Sequence, residues 1–255
     1  MTDRPLFGEG AAFVIGGSGG VGQAICQALA EAGANVALTY RSNEEKARGV
    51  VRAIEGQGRR AAALALDLTD RAGTAAAVAR VASEFEGIHS LVLATGADIS
   101  MSYTAEIDPD EWDRTIAGDL TGSFNVLRAA IPHLRAARGA VVAITSAGLV
   151  RHPPKDILSV VPKAGIEAMM RGIAREEGRW GVRANAIALG VIDTGLFHRL
   201  EQRLSPDFVE AMRRNTALRR FGTADEVADL AVFLASARSG FITGQSIALD
   251  GGYSV

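Results

Sequence analysis

The sequence has little of what marks several large protein classes, and each absence narrows the reading. It contains one cysteine, Cys26, so no disulfide can form within the chain. Set among apolar positions of a helical pattern, this thiol reads as packing rather than as a nucleophile. Neither charge predominates. Lysine and arginine total 27 against 29 aspartates and glutamates, interspersed along the chain, which leaves no electrostatic footprint for nucleic acid or an anionic membrane. No apolar run is long enough to span a bilayer, and the opening MTDRPLFGEG has no hydrophobic signal core, so a soluble, cytoplasmic protein is expected. Repeats, low-complexity tracts and linkers are also missing, so residues 1–255 are expected to form a single domain. What is present is 255 residues, 48% hydrophobic, enough to bury one large core. Small molecules and further copies of the chain are the expected partners, and no metal site is expected.

The stretch AAFVIGGSGGVG, Ala11 to Gly22, reads as a buried strand running into a glycine-rich turn and then a helix. Gly16, Gly20 and Gly22, with Ser18 and Val21 between them, suit a tight turn, close approach of backbone N–H groups to a pyrophosphate, and close helix–strand packing. Further apolar runs follow at Val36 to Thr39, Ala61 to Leu66, Leu91 to Ala94, Ala140 to Thr145, Arg183 to Ala188 and Ser246 to Leu249. Amphipathic stretches separate them, the pattern of βαβ crossovers, so the fold class is α/β: a Rossmann-type, doubly wound parallel sheet of seven strands. Capping boxes are expected at Ser42 with Glu45, Asp108 with Glu111, and Thr223 with Glu226.

After the second strand, a cofactor with a free ribose 2′-hydroxyl would call for Asp or Glu. The chain has Tyr40-Arg41-Ser42 there, a guanidinium and a hydroxyl suited to a 2′-phosphate, so NADP(H) is expected over NAD(H); Arg41 is otherwise a solvated charge at a helix start. Asp67-Leu68 closes the third strand, where the carboxylate is placed either to accept from an adenine amino group or to cap the next helix.

With these motifs in place, and with Gly96, Ser146, Lys163-Ala164-Gly165, Asn185, Val191-Ile192-Asp193-Thr194 and the ending FGTADEVADLAVFLAS…ITGQSIALDGGY, the chain resembles a short-chain dehydrogenase/reductase over essentially its whole length. The resemblance implies a dimer or tetramer. It also implies cofactor contacts from Gly96, Lys163, Gly190, Ile192 and Thr194, and a Ser-Tyr-Lys set that reduces a carbonyl or oxidises an alcohol. Here the pattern breaks. The tyrosine position, four residues before Lys163, holds Ser159, a far weaker acid with a shorter reach. Pro162 allows Ser159 to be read instead as the N-cap of its helix. The Asn-Asn-Ala-Gly element is Leu93-Ala94-Thr95-Gly96, the helix asparagine is Asp119, and Pro-Gly is Leu189-Gly190.

The Ser-x-x-x-Lys spacing and Asp119 are similar to dienoyl-CoA reductases, and the segment from Ser146 to Lys163 resembles one bacterial type of enoyl-ACP reductase. The tyrosines of those two branches would fall on Gly148 and Asp156. Tyr103 and His152, in loops at the substrate edge, are the candidate replacements. Two functions are therefore open. One is an NADPH-dependent reductase of an enoyl, dienoyl or keto acyl-type substrate, keeping Ser146 and Lys163 with altered proton delivery. The other is an NADP(H)-binding protein of this fold that performs non-redox chemistry or senses the cofactor.

Overall fold

A computed structural model of the chain describes residues 5–255. Seven parallel strands form one sheet in the order β3-β2-β1-β4-β5-β6-β7: β1 Ala11–Ile15, β2 Asn35–Tyr40, β3 Ala61–Ala65, β4 Ile88–Leu93, β5 Ala140–Ser146, β6 Arg183–Leu189 and β7 Ser246–Leu249. The central strands are apolar on both sides because both sides are covered. Along β1, Ala11, Phe13 and Ile15 belong to one core with α3 (Arg71–Glu84), α5 (Gly122–Ala137) and α7 (Ile157–Glu177). Ala12 and Val14 point to the opposite core, built with α1 (Gly20–Glu31), α2 (Glu44–Gly56) and the helix Ala224–Ala235. The expected fold class is the one observed.

Cys26 is fully buried in α1, and desolvation pushes its thiol far above the ordinary range, as a packing residue requires. The fourth strand starts three residues earlier than its apolar run, at Ile88. The interruption in the run is His89-Ser90, buried side chains joined by a 2.9 Å contact between Nδ1 and Oγ, with the His89 Nε2 left without a partner among the described residues. Two of the three expected capping boxes are not formed. Asn43, not Ser42, caps α2, accepting from the Lys46 N–H at 3.0 Å, while Glu45 pairs with Arg52. Asp108 does cap α4 (Pro109–Thr115), but Glu111 turns away to accept both the N–H and the hydroxyl of Ser100. Only Thr223 and Glu226 close the reciprocal pair.

Ser159 is not an N-cap either. The N–H groups of Ser159 and Val160 both bond to the Asp156 carbonyl, so the first turn of α7 closes on residue 156 and Ser159 lies inside the helix. Pro162 is therefore accommodated in the second turn rather than the first, at the expense of one backbone hydrogen bond. The path from Asp108 to Ala137 is also not one regular helix: a π-helical turn, Ile116–Thr121, separates α4 from α5 and carries Asp119. Such insertions are frequent at functional sites.

Candidate active site

The strand order reverses between β1 and β4, and their carboxyl ends open the crevice where ligands bind in sheets of this kind. The glycine turn fills one side of it. Gly16 has φ +81° and a Cβ there would lie 2.8 Å from the Ala94 carbonyl oxygen. A Cβ on Gly22 would lie 2.3 Å from the Gly16 oxygen, and one on Gly20 would lie 2.3 Å from Thr194 Oγ1. The Thr39 hydroxyl accepts the Gly16 N–H at 2.9 Å and ties the turn to β2. Gly19 caps α1 without any side-chain hydrogen bond, so the leading N–H groups of that helix remain available to an anion. A cradle that any side chain would fill, at an uncapped helix start, fits a dinucleotide pyrophosphate. Ser18 and Val21 are half-buried in this turn.

Gly17, which carries no assignment from the sequence, proves as constrained as its neighbours, for its Cβ would strike Leu38 Cβ at 2.6 Å. Its signal was present in the run Gly16-Gly17 but is masked by the commoner spacing. At the end of β2, Tyr40 is half-buried while Arg41 and Ser42 are exposed. Because Asn43 takes the capping role, the Ser42 hydroxyl stays uncommitted. Asp67 does not cap α3, whose N-cap is Asp70. Its Oδ1 accepts from the Thr69 N–H and hydroxyl; these bonds, with the Arg41 guanidinium nearby, hold the carboxyl below its usual range. Leu68 packs against Gly122, and its carbonyl accepts from Asn125.

Across the crevice, the Lys163 amine donates to the Thr95 carbonyl at 2.7 Å and stands 3.7 Å from Asp119 Oδ2. Both side chains are buried. The Thr95 contact comes from backbone and carries no sequence signal. Ser146, at the end of β5, accepts the Gly148 N–H at 3.0 Å. Gly96 lies under Leu196, the first residue of α8 (Leu196–Glu201). Asp98, after β4, holds Arg199 and Arg203 at 3.0 and 2.7 Å, so the segment after β6 closes over the glycine turn. Gly190 is pressed against Asp250, Ile192 is buried in the core, and Thr194 faces Gly20.

Beside α7 runs a groove of about 750 Å³, bordered by Tyr103, Leu149, His152, Asp156 and Val160 among others. Tyr103 is more than half exposed, with the Lys155 amine 4.7 Å from its ring centre. His152 is exposed and left-handed, at φ +45°, ending α6 (Gly148–Arg151). Neither makes a side-chain hydrogen bond among the described residues, and neither is tied to Ser146 or Lys163. Asp156 is different: it borders the groove and also approaches Gly148, against which Ser146 lies.

A family model described as enoyl-(acyl carrier protein) reductase matches residues 16–254. The chain belongs to the short-chain dehydrogenase/reductase family. This short-chain dehydrogenase/reductase is 33% identical over 242 residues to the 3-oxoacyl-(acyl-carrier-protein) reductase FabG of Staphylococcus aureus, covering 94% of the chain and 96% of that protein. It is 34% identical to the cis-4-hydroxycyclohexanecarboxylate dehydrogenase of Sinomonas cyclohexanicum, across 97% and 98% of the two chains. Among solved structures, a short-chain dehydrogenase from Burkholderia cenocepacia in complex with NADP superposes with a TM-score of 0.90 at 32% identity, covering 99% of this chain and 100% of that one. No helix among the described residues is long and apolar enough to cross a membrane.

Proposed function

We propose that this protein is an NADP(H)-dependent reductase acting on a small acyl-type substrate with a keto, enoyl or dienoyl group. The observation that carries this reading is the buried Lys163 amine, anchored on Thr95 and Asp119, opposite a glycine cradle that no side chain can enter. The cofactor supplies hydride when bound. The N–H groups of Ser18, Gly20, Val21 and Gly22 would hold its pyrophosphate, Asp67 would accept from its adenine, and Arg41 with Ser42 would meet its 2′-phosphate. Lys163 holds the nicotinamide ribose and, with Asp119, orders the polar end of the site; Ser146 orients the substrate oxygen. The similarity to a 3-oxoacyl reductase and to a structure holding NADP supports the same assignment.

The deciding experiment saturates the protein with NADPH and follows its absorbance with 3-oxoacyl, enoyl and dienoyl thioesters and simple ketones. Oxidation with any acyl substrate is expected. Tight NADPH binding with no oxidation across the panel would reject the reductase and favour the non-redox or cofactor-sensing reading. The cofactor assignment has its own check: Arg41→Asp is expected to weaken NADPH by about 1.5–3 kcal/mol, the range of a charge-assisted contact, and to leave NADH nearly unchanged. Equal loss for both would remove Arg41 from the site.

The same reading includes a homodimer or homotetramer built on α5 and α7. Phe124, half exposed on α5, is the kind of apolar anchor such an interface covers. Sedimentation velocity at micromolar concentration should show a species larger than the 26.6 kDa chain; a monomer would contradict it.

A further inference from the structure

The reductase reading leaves the source of the proton open, and the structure holds a carboxyl in an unusual place at Gly148, which Ser146 also borders. Asp156 precedes α7 at a position whose side chain ordinarily accepts from the leading N–H groups of the helix, yet it makes no such bond. Among the described residues it has no side-chain hydrogen bond or ion pair at all. Its Oδ2 lies 3.3 Å, and Ser146 Oγ 3.0 Å, from the point where a Cβ on Gly148 would stand. The absence of a side chain at Gly148 is thus what lets both oxygens border the same small space. Because Ser146 Oγ already accepts the Gly148 N–H, its own proton remains free for a substrate oxygen. At the helical spacing i, i+3, i+7, Asp156, Ser159 and Lys163 also run along one face of α7.

Resting on the reductase reading, we propose that Asp156 is the proton donor of the reaction, its carboxyl and the Ser146 hydroxyl converging on the substrate oxygen beside Gly148. In the reduction of a keto group, the carbonyl carbon receives hydride from reduced nicotinamide, which is oxidised to NADP⁺. The carbonyl π pair moves to oxygen and takes H⁺ from the Asp156 carboxyl, giving the alcohol; the carboxylate regains its proton from solvent. With a conjugated alkene, hydride adds at the β carbon and the same proton is delivered to the resulting enolate. Ser159 has no part in either balance.

The surroundings suit the task. Burial alone pushes the Asp156 carboxyl up to about 6, so a usable fraction is protonated near neutral pH, where general acids work best. The charged and titratable groups around it are otherwise engaged or unpaired with it. Lys155 lies over Tyr103, and Arg151 donates to the Tyr253 carbonyl. Glu167 accepts from Thr145 and Ser246 and faces Arg171, Lys163 stands by Asp119, and His152 is exposed. The sign for stability is fixed by the same shift. Asp156 binds its proton more tightly folded than unfolded, so its contribution is favourable at low pH and is lost as pH rises toward and through about 6.

The test compares wild type with Asp156→Asn and Asp156→Glu, using NADPH and whichever acyl thioester the panel turns over. At pH 6, Asp156→Asn is expected to lose about 100-fold or more of the reduction rate, the usual contribution of a positioned acid, with NADPH affinity unchanged. The descending limb of kcat/KM near pH 6 should vanish in the Asn variant and survive in the Glu variant. A thermal melt at pH 8 should show Asp156→Asn no less stable than wild type. Retained rate with the same pH limb would overturn the proposal, and so would a joint loss of rate, NADPH affinity and stability. A wild type that binds NADPH but oxidises it with no substrate would instead overturn the reductase reading, and this inference with it.

Discussion

Lys163→Met should abolish turnover, by about 1,000-fold or more for a group that both holds cofactor and orders the proton-transfer end of the site. It should weaken NADPH as well. The amine reaches Thr95 and Asp119 from inside the fold, and methionine fills the space without donating a hydrogen bond. The Asp119 carboxylate then stays buried without its cation, a defect that typically costs about 3–5 kcal/mol. Some of the lost activity is therefore expected to be lost stability. Adding Asp119→Asn removes the orphaned charge and should restore the melting temperature but not the rate, which separates the two contributions. Ser159→Ala is the contrasting variant. Because Ser159 caps nothing, its stability change should stay within about 0.5 kcal/mol, and its rate should fall less than about 10-fold. Initial rates, NADPH fluorescence titration and melts on the same preparations decide this. An active Lys163→Met enzyme would remove the centre of the reductase reading.

Gly22→Val should be the most damaging change in the cradle. The first atom of any side chain there meets the Gly16 oxygen at 2.3 Å and Gly17 Cα at 2.9 Å. Both are backbone, which cannot swing aside as the end of a flexible side chain can. Overpacking of this kind usually costs about 1–3 kcal/mol. The displaced loop should also lose most of its pyrophosphate contacts, weakening NADPH about 100-fold, the equivalent of two to three hydrogen bonds. Gly56→Ala is the control. That residue ends α2 with no atom within 4 Å of the added Cβ, so alanine should be neutral or stabilising by about 0.4–1 kcal/mol. Isothermal titration with NADPH and chemical denaturation measure both effects. Unimpaired binding by Gly22→Val would mean the cofactor does not use this turn.

What the sequence determined by itself is everything carried by residues close together along the chain. The alternation of apolar runs with amphipathic stretches specifies strands and helices through their own periodicities, so the seven strands and their class of sheet follow from it. The glycine turn follows too, because the positive φ of Gly16 and the close approach of Gly22 to Gly16 arise within a few residues. The capping pair of Thr223 and Glu226 was legible for the same reason. Capping failed where two adjacent residues compete for one helix start, as Ser42 and Asn43 do, or where a distant group takes the partner, as Ser100 takes Glu111.

Only the tertiary structure decided what depends on residues brought from far apart. The start of β4 is one case, since pairing with β1 draws the polar His89 and Ser90 into the core. Lys163 is anchored by the backbone of Thr95, 68 residues away, and a carbonyl leaves no mark in a sequence. In the sequence Asp156 stands only where one branch of the family has its tyrosine, Ser159 reads as the helix cap, and Tyr103 and His152 are the candidate proton donors. The fold leaves the Asp156 side chain without a bond to its helix, partly buries its carboxyl and brings it to the same side of Gly148 as Ser146, which is the basis of the proposal made for it. Desolvation and convergence are properties of enclosed space, and space is enclosed only when the chain has folded.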